Sequence, residues 1–364
     1  MTDFLARALD LARLGVGQTS PNPTVGAVIE RDGTVLGEGF HVYADKKHAE
    51  IVALEQAGPQ ARGATLYVTL EPCSHQGRTG PCADAIIAAG ISQVVAPIED
   101  PNPAVSGDGF RKLREAGIEV IIDEHHAAEA LKVNESFFHF MKTRLPFVTL
   151  KSAVTLDGKI AAPYDNDGWI TSETARAHVQ TLRHATDSIL TGIGTALADD
   201  CLLTDRSGMP RSRPLLRIVL DSQLRLPVTS KLATSCDKDV LVVTTSAANP
   251  ERRQALEAVG VEVVTLDGVG GRTSFKDLIA LLGGRGYQSL MIEAGSIVNW
   301  AALESGSVDR LFLYYAPKIL GGLKSLPVAG GTGRQRRSDA ILFHNVTLHP
   351  IPPDEFAVEC YLVK

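Results

Sequence analysis

The 364-residue sequence predicts two three-layer α/β domains in tandem. Three observations carry that expectation. Short apolar strands alternate with helical segments along the whole chain, the pattern of sheets covered by helices. The alternation is interrupted at Thr143-Arg144-Leu145-Pro146 and then starts again; Pro146 disfavours helix in the residue before it. The length exceeds what one core fills and suits two. The domains are therefore expected at 1–142 and 146–364.

In the first domain, Phe4, Leu5, Ala8, Leu9, Leu11 and Ala12 mark an opening amphipathic helix. Val25–Glu30 and Thr34–Gly39 read as a hairpin around Asp32-Gly33, a strong turn signal. A helix is expected over His48–Ala57, a buried strand over Thr65–Leu70, and a helix over Cys82–Ala89 stopped by Gly90. Val94–Ala96 and Glu119–Ile122 read as strands and Gly109–Ala116 as a helix; Ala127–Met141 reads as one closing helix. In the second domain the strands are expected at Phe147–Leu150, Ser188–Thr191, Arg217–Asp221, Val240–Thr244, Val261–Leu266, Ser289–Glu293 and Arg310–Tyr315. Helices are expected at Ser172–His184, Pro250–Val259, Phe275–Leu282 and Val298–Glu304. Mostly parallel sheets follow from this order.

The formal charge is −6, and the only short basic run is Arg334–Arg337. Nucleic-acid binding normally needs a basic face, so a small-molecule substrate is favoured. No apolar run is long enough to span a bilayer, and the opening segment lacks the apolar core of a signal peptide. Five scattered cysteines do not make a disulfide framework; a reducing, cytoplasmic setting is expected.

The strongest chemical signal is His48-Ala49-Glu50, followed by Glu71-Pro72-Cys73 after a strand, and then by Cys82. A catalytic zinc takes three protein ligands and leaves a fourth position for water. His48, Cys73 and Cys82 supply that count, and zinc lowers the pKa of bound water to about 7. Cys82 at a helix N-terminus is placed to form a thiolate. Glu50 is placed to move the water's proton to a departing amine. Zinc nucleobase deaminases use His-x-Glu with Pro-Cys-x-x-Cys. Here eight residues, Ser74 to Pro81, separate the cysteines. The enclosed loop offers His75 and Arg78 to an anionic substrate group. A purely structural zinc would need a fourth protein ligand, for which His75 is the local candidate.

Asn22, between Pro21 and Pro23, has an amide suited to a pyrimidinone edge; a rigid turn is the alternative. In the second domain, Gly192-Ile193-Gly194-Thr195 follows a strand but lacks the third glycine of a dinucleotide fingerprint. Glu293-Ala294-Gly295-Ser296 joins a strand to a helix whose free amides would suit phosphate. Asp199-Asp200 near Arg206 reads either as a catalytic group or as a solvated helix end.

These stretches together resemble the bacterial bifunctional riboflavin-biosynthesis deaminase–reductases. The resemblance rests on residues 20–26, 48–50, 67–82, 100–103, 156–159, 169–172, 194–200, 203–204, 293–295 and 316–322. It implies a cytidine-deaminase-like first domain. That domain would convert 2,5-diamino-6-(5-phosphoribosylamino)pyrimidin-4(3H)-one to 5-amino-6-(5-phosphoribosylamino)uracil. It also implies a dihydrofolate-reductase-like second domain that reduces the ribosyl group to ribityl with NADPH. By motif, Ala153, Trp169, Thr195, Asp199 and Ser222 fall at NADPH contacts. Gly295, Ser296, Ile297, Val298, Asn299, Trp300 and Ala301 fall at its phosphates. Asp167, Arg183, Leu203, Arg206 and Glu293 fall at reductase substrate positions, and Lys151 lies near the hydride site. The forks of Arg183 and Arg206 suit the substrate phosphate. Cys201 replaces the family's usual proline, and Asp167 is acidic where a neutral side chain is expected. A homo-oligomer is implied, with Zn2+ and NADPH as cofactors and no nucleic-acid or membrane partner. Two rivals stand: a single-function nucleobase or tRNA deaminase with an inert second domain, and a non-catalytic zinc-stabilised binding protein.

Overall fold

The computed structural model describes residues 3–75, 80–102, 106–164 and 167–363. The chain divides into two compact units, Met1–Arg144 with Pro210–Arg213, and Leu145–Met209 with Pro214–Lys364. Both are α/β.

The first unit has strands β1 (Gly26–Arg31), β2 (Thr34–Phe40), β3 (Thr65–Val68), β4 (Gln93–Ala96) and β5 (Glu119–Ile122), in sheet order β2-β1-β3-β4-β5. Its helices are α1 (Phe4–Leu14), α2 (Ala49–Ala57), α3 (Cys82–Ala89), α4 (Asp108–Glu115), α5 (Ala127–Val133) and α6 (Glu135–Thr143). The expected hairpin forms, with Asp32 and Gly33 both at positive φ. The sheet is mixed rather than mostly parallel. β1 runs antiparallel to both neighbours, and only β3, β4 and β5 run parallel.

Small residues set how closely helices approach this sheet. A Cβ on Gly26 would lie 2.0 Å from the Ala8 carbonyl oxygen, and one on Gly37 would lie 2.2 Å from that of Ala53. Helices α1 and α2 therefore meet the sheet backbone to backbone. Ala49, Ala53 and Ala57 are the buried face of α2 and leave room for it.

The single closing helix expected over Ala127–Met141 is two helices, broken at Asn134 (φ −109°, ψ 20°). The break has a cause. The buried Asn134 side chain accepts from the Thr24 amide at 2.7 Å and donates to the Thr24 carbonyl at 2.8 Å. It thus completes, as a strand would, the backbone pairing of the segment entering β1.

The second unit carries β6 (Phe147–Thr155), β7 (Lys159–Ala161), β8 (Ser188–Gly192), β9 (Leu216–Leu220), β10 (Val240–Thr244), β11 (Glu262–Thr265), β12 (Ser289–Ile292), β13 (Arg310–Ala316), β14 (Leu326–Pro327), β15 (Phe343–Ile351) and β16 (Glu355–Leu362). Its helices are α7 (Glu173–His184), α8 (Ile193–Asp199), α9 (Lys231–Thr234), α10 (Pro250–Ala258), α11 (Phe275–Gly284) and α12 (Ser296–Glu304). The large sheet has the order β11-β10-β9-β8-β12-β6-β13-β16-β15. It is parallel from β11 to β13, and the pairs β13–β16 and β16–β15 are antiparallel. Sequence reasoning missed the β15–β16 hairpin, because six of the nine residues of β15 are exposed and no apolar face marks it. The small β7–β14 pair was missed as well. Among the described residues no helix is long and apolar enough to cross a membrane.

Replacing Asn134 with Ala leaves the buried Thr24 amide and carbonyl unpaired, at a cost of about 2 kcal/mol. Hydrogen–deuterium exchange of the peptide spanning 20–28 is expected to accelerate by about 30-fold. Unchanged exchange there contradicts this account of the helix break.

Candidate functional site

In the first unit, helix α2 begins immediately after His48, which is its N-cap residue, and Glu50 sits in its first turn. A Cβ on Gly39 would lie 2.6 Å from the Ala49 carbonyl oxygen, so the start of α2 is pressed against β2. Cys73 follows β3, and Cys82 is the first residue of α3. The ligand atoms of His48, Cys73 and Cys82 all lie within 4.8 Å of one another. His48 Nδ1 is 3.2 Å from Cys82 Sγ and 3.6 Å from Cys73 Sγ. Zn–N and Zn–S bonds at a tetrahedral angle require about 3.5 Å between such atoms. The donor set and its spacing therefore fit zinc.

The electrostatics differ in one respect from expectation. The N-terminus of α3 serves Cys73 rather than Cys82: the Cys82 amide donates to Cys73 Sγ at 3.3 Å. Hydrogen bonding from the Cys82 side chain, then from His48, pulls the Cys73 thiol below its ordinary value. The Cys82 thiol is pushed up by that same bond and by burial. Glu50 is buried, and desolvation, with the charge of Cys73, raises its carboxyl to about 7. A carboxyl poised near neutrality can both take and return a proton.

The Asn22 amide donates to His41 Nε2 at 3.0 Å, and His41 Nδ1 donates to the Lys47 carbonyl at 2.7 Å. His41 lies edge-on to His48, with ring centroids 5.2 Å apart. Sequence reasoning missed His41, which belongs to no motif and meets Asn22 only through the fold. It also missed the work of Glu71. That buried carboxylate accepts from the amides of Asp100, Gly107, Gly109 and Phe110 at 2.8–3.2 Å. Gly109 is required there, because a Cβ would lie 2.0 Å from the Pro72 carbonyl oxygen. The start of α4 thereby buttresses the turn that presents Cys73. His75 is exposed on the following loop, and Arg78 lies outside the described residues.

In the second unit several of the predicted residues lie on the parallel strands or just beyond their C-terminal ends, where α/β sheets bind ligands. Lys151 and Ala153 lie on β6, Glu293 follows β12, and Ser222 follows β9. The helices α7, α9, α10 and α11 have side-chain N-caps, from Ser172, Ser230, Asn249 and Ser274. Helices α8 and α12 do not; they begin at Gly192 and Gly295 with no side-chain cap. A Cβ on Gly295 would meet Thr195 Oγ1 at 3.2 Å, and one on Gly192 would meet Val298 Cγ2 at 2.7 Å. Two uncapped helix starts thus lie side by side, each glycine making room for a side chain of the other helix, Thr195 and Val298. Open amides in such a cradle fit the phosphates of a dinucleotide. Within the stretch Gly295–Ala301, Ile297 is exposed and Ser296 buried; Val298, Trp300 and Ala301 are half-buried. Asn299 turns inward and donates to the Val328 carbonyl at 2.8 Å.

Arg183 differs from expectation. Its Nε and Nη2 donate to the two Glu293 oxygens at 2.7 and 3.1 Å, and its Nη1 donates to the Thr204 carbonyl at 2.8 Å. The fork expected for a phosphate thus faces a carboxylate. Lys151 Nζ approaches Glu293 at 3.3 Å. Burial would raise the Glu293 carboxyl, yet the charges of Lys151 and Arg183 outweigh it and hold it at about 2. Arg206 is exposed and Leu203 is buried in a left-handed conformation (φ +53°). Four predicted residues stand outside these contacts. Asp167 and Asp199 are exposed, the exposed Trp169 packs under Arg176, and the Ser222 carbonyl accepts from Thr245. Cys201 is half-buried against an apolar cluster.

Comparison with known proteins covers both units. Residues 1–97 match the cytidine and deoxycytidylate deaminase zinc-binding region, and residues 146–349 match the RibD C-terminal domain. The chain is 41% identical to riboflavin biosynthesis protein RibD of Actinobacillus pleuropneumoniae, over 93% of this chain and 89% of that one. It is 39% identical to the Bacillus amyloliquefaciens protein of the same name, over 96% and 94%. Acinetobacter baumannii RibD superposes with a TM-score of 0.87 at 36% identity, covering 99% of this chain and 98% of that one. A diaminohydroxyphosphoribosylaminopyrimidine deaminase/5-amino-6-(5-phosphoribosylamino)uracil reductase from Thermotoga maritima superposes at 0.84 with 37% identity, covering 99% and 98%.

The Glu293 pair makes stability depend on pH. The carboxyl is depressed from 4.5 to about 2, so its contribution is complete above about pH 4.5 and is lost as pH falls toward 2. That contribution is about 3 kcal/mol. Both tryptophans, Trp169 and Trp300, lie in this unit and report its unfolding. Glu293→Gln is expected to lower the urea midpoint at pH 7, and the gap from wild type should close between pH 4.5 and 2. An equal gap at pH 7 and pH 2.5 contradicts the assignment.

Proposed function

The chain belongs to the RibD family, and from that membership we infer the residues with which it carries out the family's two reactions. It is a bifunctional enzyme of riboflavin biosynthesis, a deaminase and a reductase. The observation that carries the residue assignment is the meeting of His48, Cys73 and Cys82 beside the buried Glu50. Matching across both units disfavours a single-function deaminase and a non-catalytic zinc protein.

The first unit, 1–142, is the deaminase and the second, 146–364, the reductase. His48, Cys73 and Cys82 would hold zinc, which would supply the Lewis acid that acidifies water. Glu50 accepts the proton of the attacking water on its carboxylate and returns it to the departing amine. Its burial raises its proton affinity to the range in which both transfers proceed. Asn22, oriented by His41, holds the edge of the pyrimidine, and His75 and Arg78 take the substrate phosphate. The product is 5-amino-6-(5-phosphoribosylamino)uracil.

In the second unit NADPH supplies hydride for reduction of the ribosyl group. The uncapped starts of α8 and α12, with Thr195 and Gly295–Ala301, would hold its phosphates. Ala153, Trp169, Asp199 and Ser222 complete the cofactor surface. Glu293 orients both Lys151 and Arg183. Lys151 faces the reacting carbon, Asp167 and Leu203 border the substrate, and Arg206 takes its phosphate. The substrate is thus a small phosphorylated pyrimidine, not a nucleic acid, and the enzyme works in the cytoplasm as a homo-oligomer without a membrane partner. The acidic balance supports a small-molecule substrate over a nucleic acid.

Glu50→Gln is expected to lower deamination by about 10²–10⁴-fold with zinc retained. NADPH oxidation on supplied deaminated substrate should stay unchanged. Chelation of zinc should likewise stop the first reaction and spare the second. Wild-type deamination by Glu50→Gln sinks the role of Glu50.

A further inference from the structure

One turned face of α7 grips the segment that carries Arg206, and two of its three gripping residues have no part in the assignments above. Gln180, Arg183 and His184 are spaced i, i+3, i+4 and so share a face of the helix. They engage three successive residues. Arg183 donates to the Thr204 carbonyl at 2.8 Å. His184 Nδ1 donates to Asp205 Oδ2 at 2.9 Å. The Gln180 side-chain carbonyl accepts from the Arg206 amide at 2.9 Å. The other Asp205 oxygen accepts from the Ser207 amide at 2.9 Å. On the far side, the buried Arg217 donates to the Leu202 carbonyl at 3.1 Å.

The His184–Asp205 pair is nearly dry, with side-chain exposures of 2% and 7%. A carboxylate buried to that degree stays inside only while a donor faces it. The backbone of Arg206 is therefore held on both sides, by Gln180 at its amide and by Asp205 through Ser207. The Arg206 side chain projects from this fixed base into solvent. A guanidinium on a fixed base loses less freedom on meeting an anion than one on a loose loop. We propose that His184, acting through Asp205 and with Gln180, is the positioning residue that aims Arg206 at the phosphate of the reductase substrate. The proposal rests on the assignment of Arg206 to that phosphate.

The test is steady-state reduction of 5-amino-6-(5-phosphoribosylamino)uracil by the full chain, with deamination and NADPH affinity as controls on folding. Arg206→Ala should raise KM for the pyrimidine. His184→Ala should raise the same KM by about tenfold or more, with kcat and NADPH affinity little changed. His184→Asn, which restores a donor at the Nδ1 position, should recover most of the loss. In an Arg206→Ala background, His184→Ala should add less than about twofold, because the two act as one unit. Gln180→Ala, a benign change on a helix, should raise KM in the same direction if His184→Ala fails to fold. A raised KM in Arg206→Ala with none in His184→Ala and Gln180→Ala overturns the positioning role alone. An equal effect of His184→Ala with and without Arg206 also overturns it. An unchanged KM in Arg206→Ala overturns the phosphate assignment and the proposal with it.

Discussion

Helix α2 can bring His48 and Glu50 to the metal centre only because it lies on β2 at backbone distance. Gly37 and Gly39 on the strand and Ala49, Ala53 and Ala57 on the helix allow that approach. Any side chain at Gly37 or Gly39 would push the helix start outward and take the imidazole from the sulfurs. Glu50, in the first turn of that helix, is itself buried, and burial together with the charge of Cys73 raises its carboxyl to about 7.

The other wall of that centre is built differently. Cys73 stands on the turn after β3, and the turn is backed by α4, whose start is tied to the buried Glu71 by several backbone amides. Cys82 contributes twice, by its sulfur and by its amide, which points at Cys73. The long loop between the two cysteines is therefore anchored at both ends by elements that do not depend on its own sequence. Such a loop is free to vary for substrate contact without loss of the metal site.

The second unit relies on backbone amides and paired charge. Its two uncapped helix starts present amides where neighbouring helices present capped ends. Glu293 gathers Lys151 and Arg183, so that two cations sit at the end of the sheet at the cost of a single buried carboxylate. Because Arg183 also holds Thr204, the same cluster reaches the loop that carries Arg206.

Much of this was legible in the residues. Apolar periodicity located most strands and helices, since local pattern follows the face each element buries. The His-x-Glu and Pro-Cys pattern pointed to the metal centre, because ligand chemistry restricts residue type. The tandem motifs identified both reactions. What the residues did not disclose depends on contacts between distant parts of the chain. The break at Asn134 exists for Thr24, 110 positions away. The β15–β16 hairpin pairs through backbone hydrogen bonds and has no buried face on β15 to betray it. Cys73, not Cys82, receives the helix amide because of how α3 meets the turn. Arg183 faces Glu293 because β12 delivers a buried carboxylate to the end of α7. By itself the sequence determined the two α/β domains and picked out His48, Cys73 and Cys82, which the fold brings together beside the buried Glu50. The tertiary structure alone decided which polar groups face one another, because hydrogen bonds across long loops leave no periodic trace in the residues that make them.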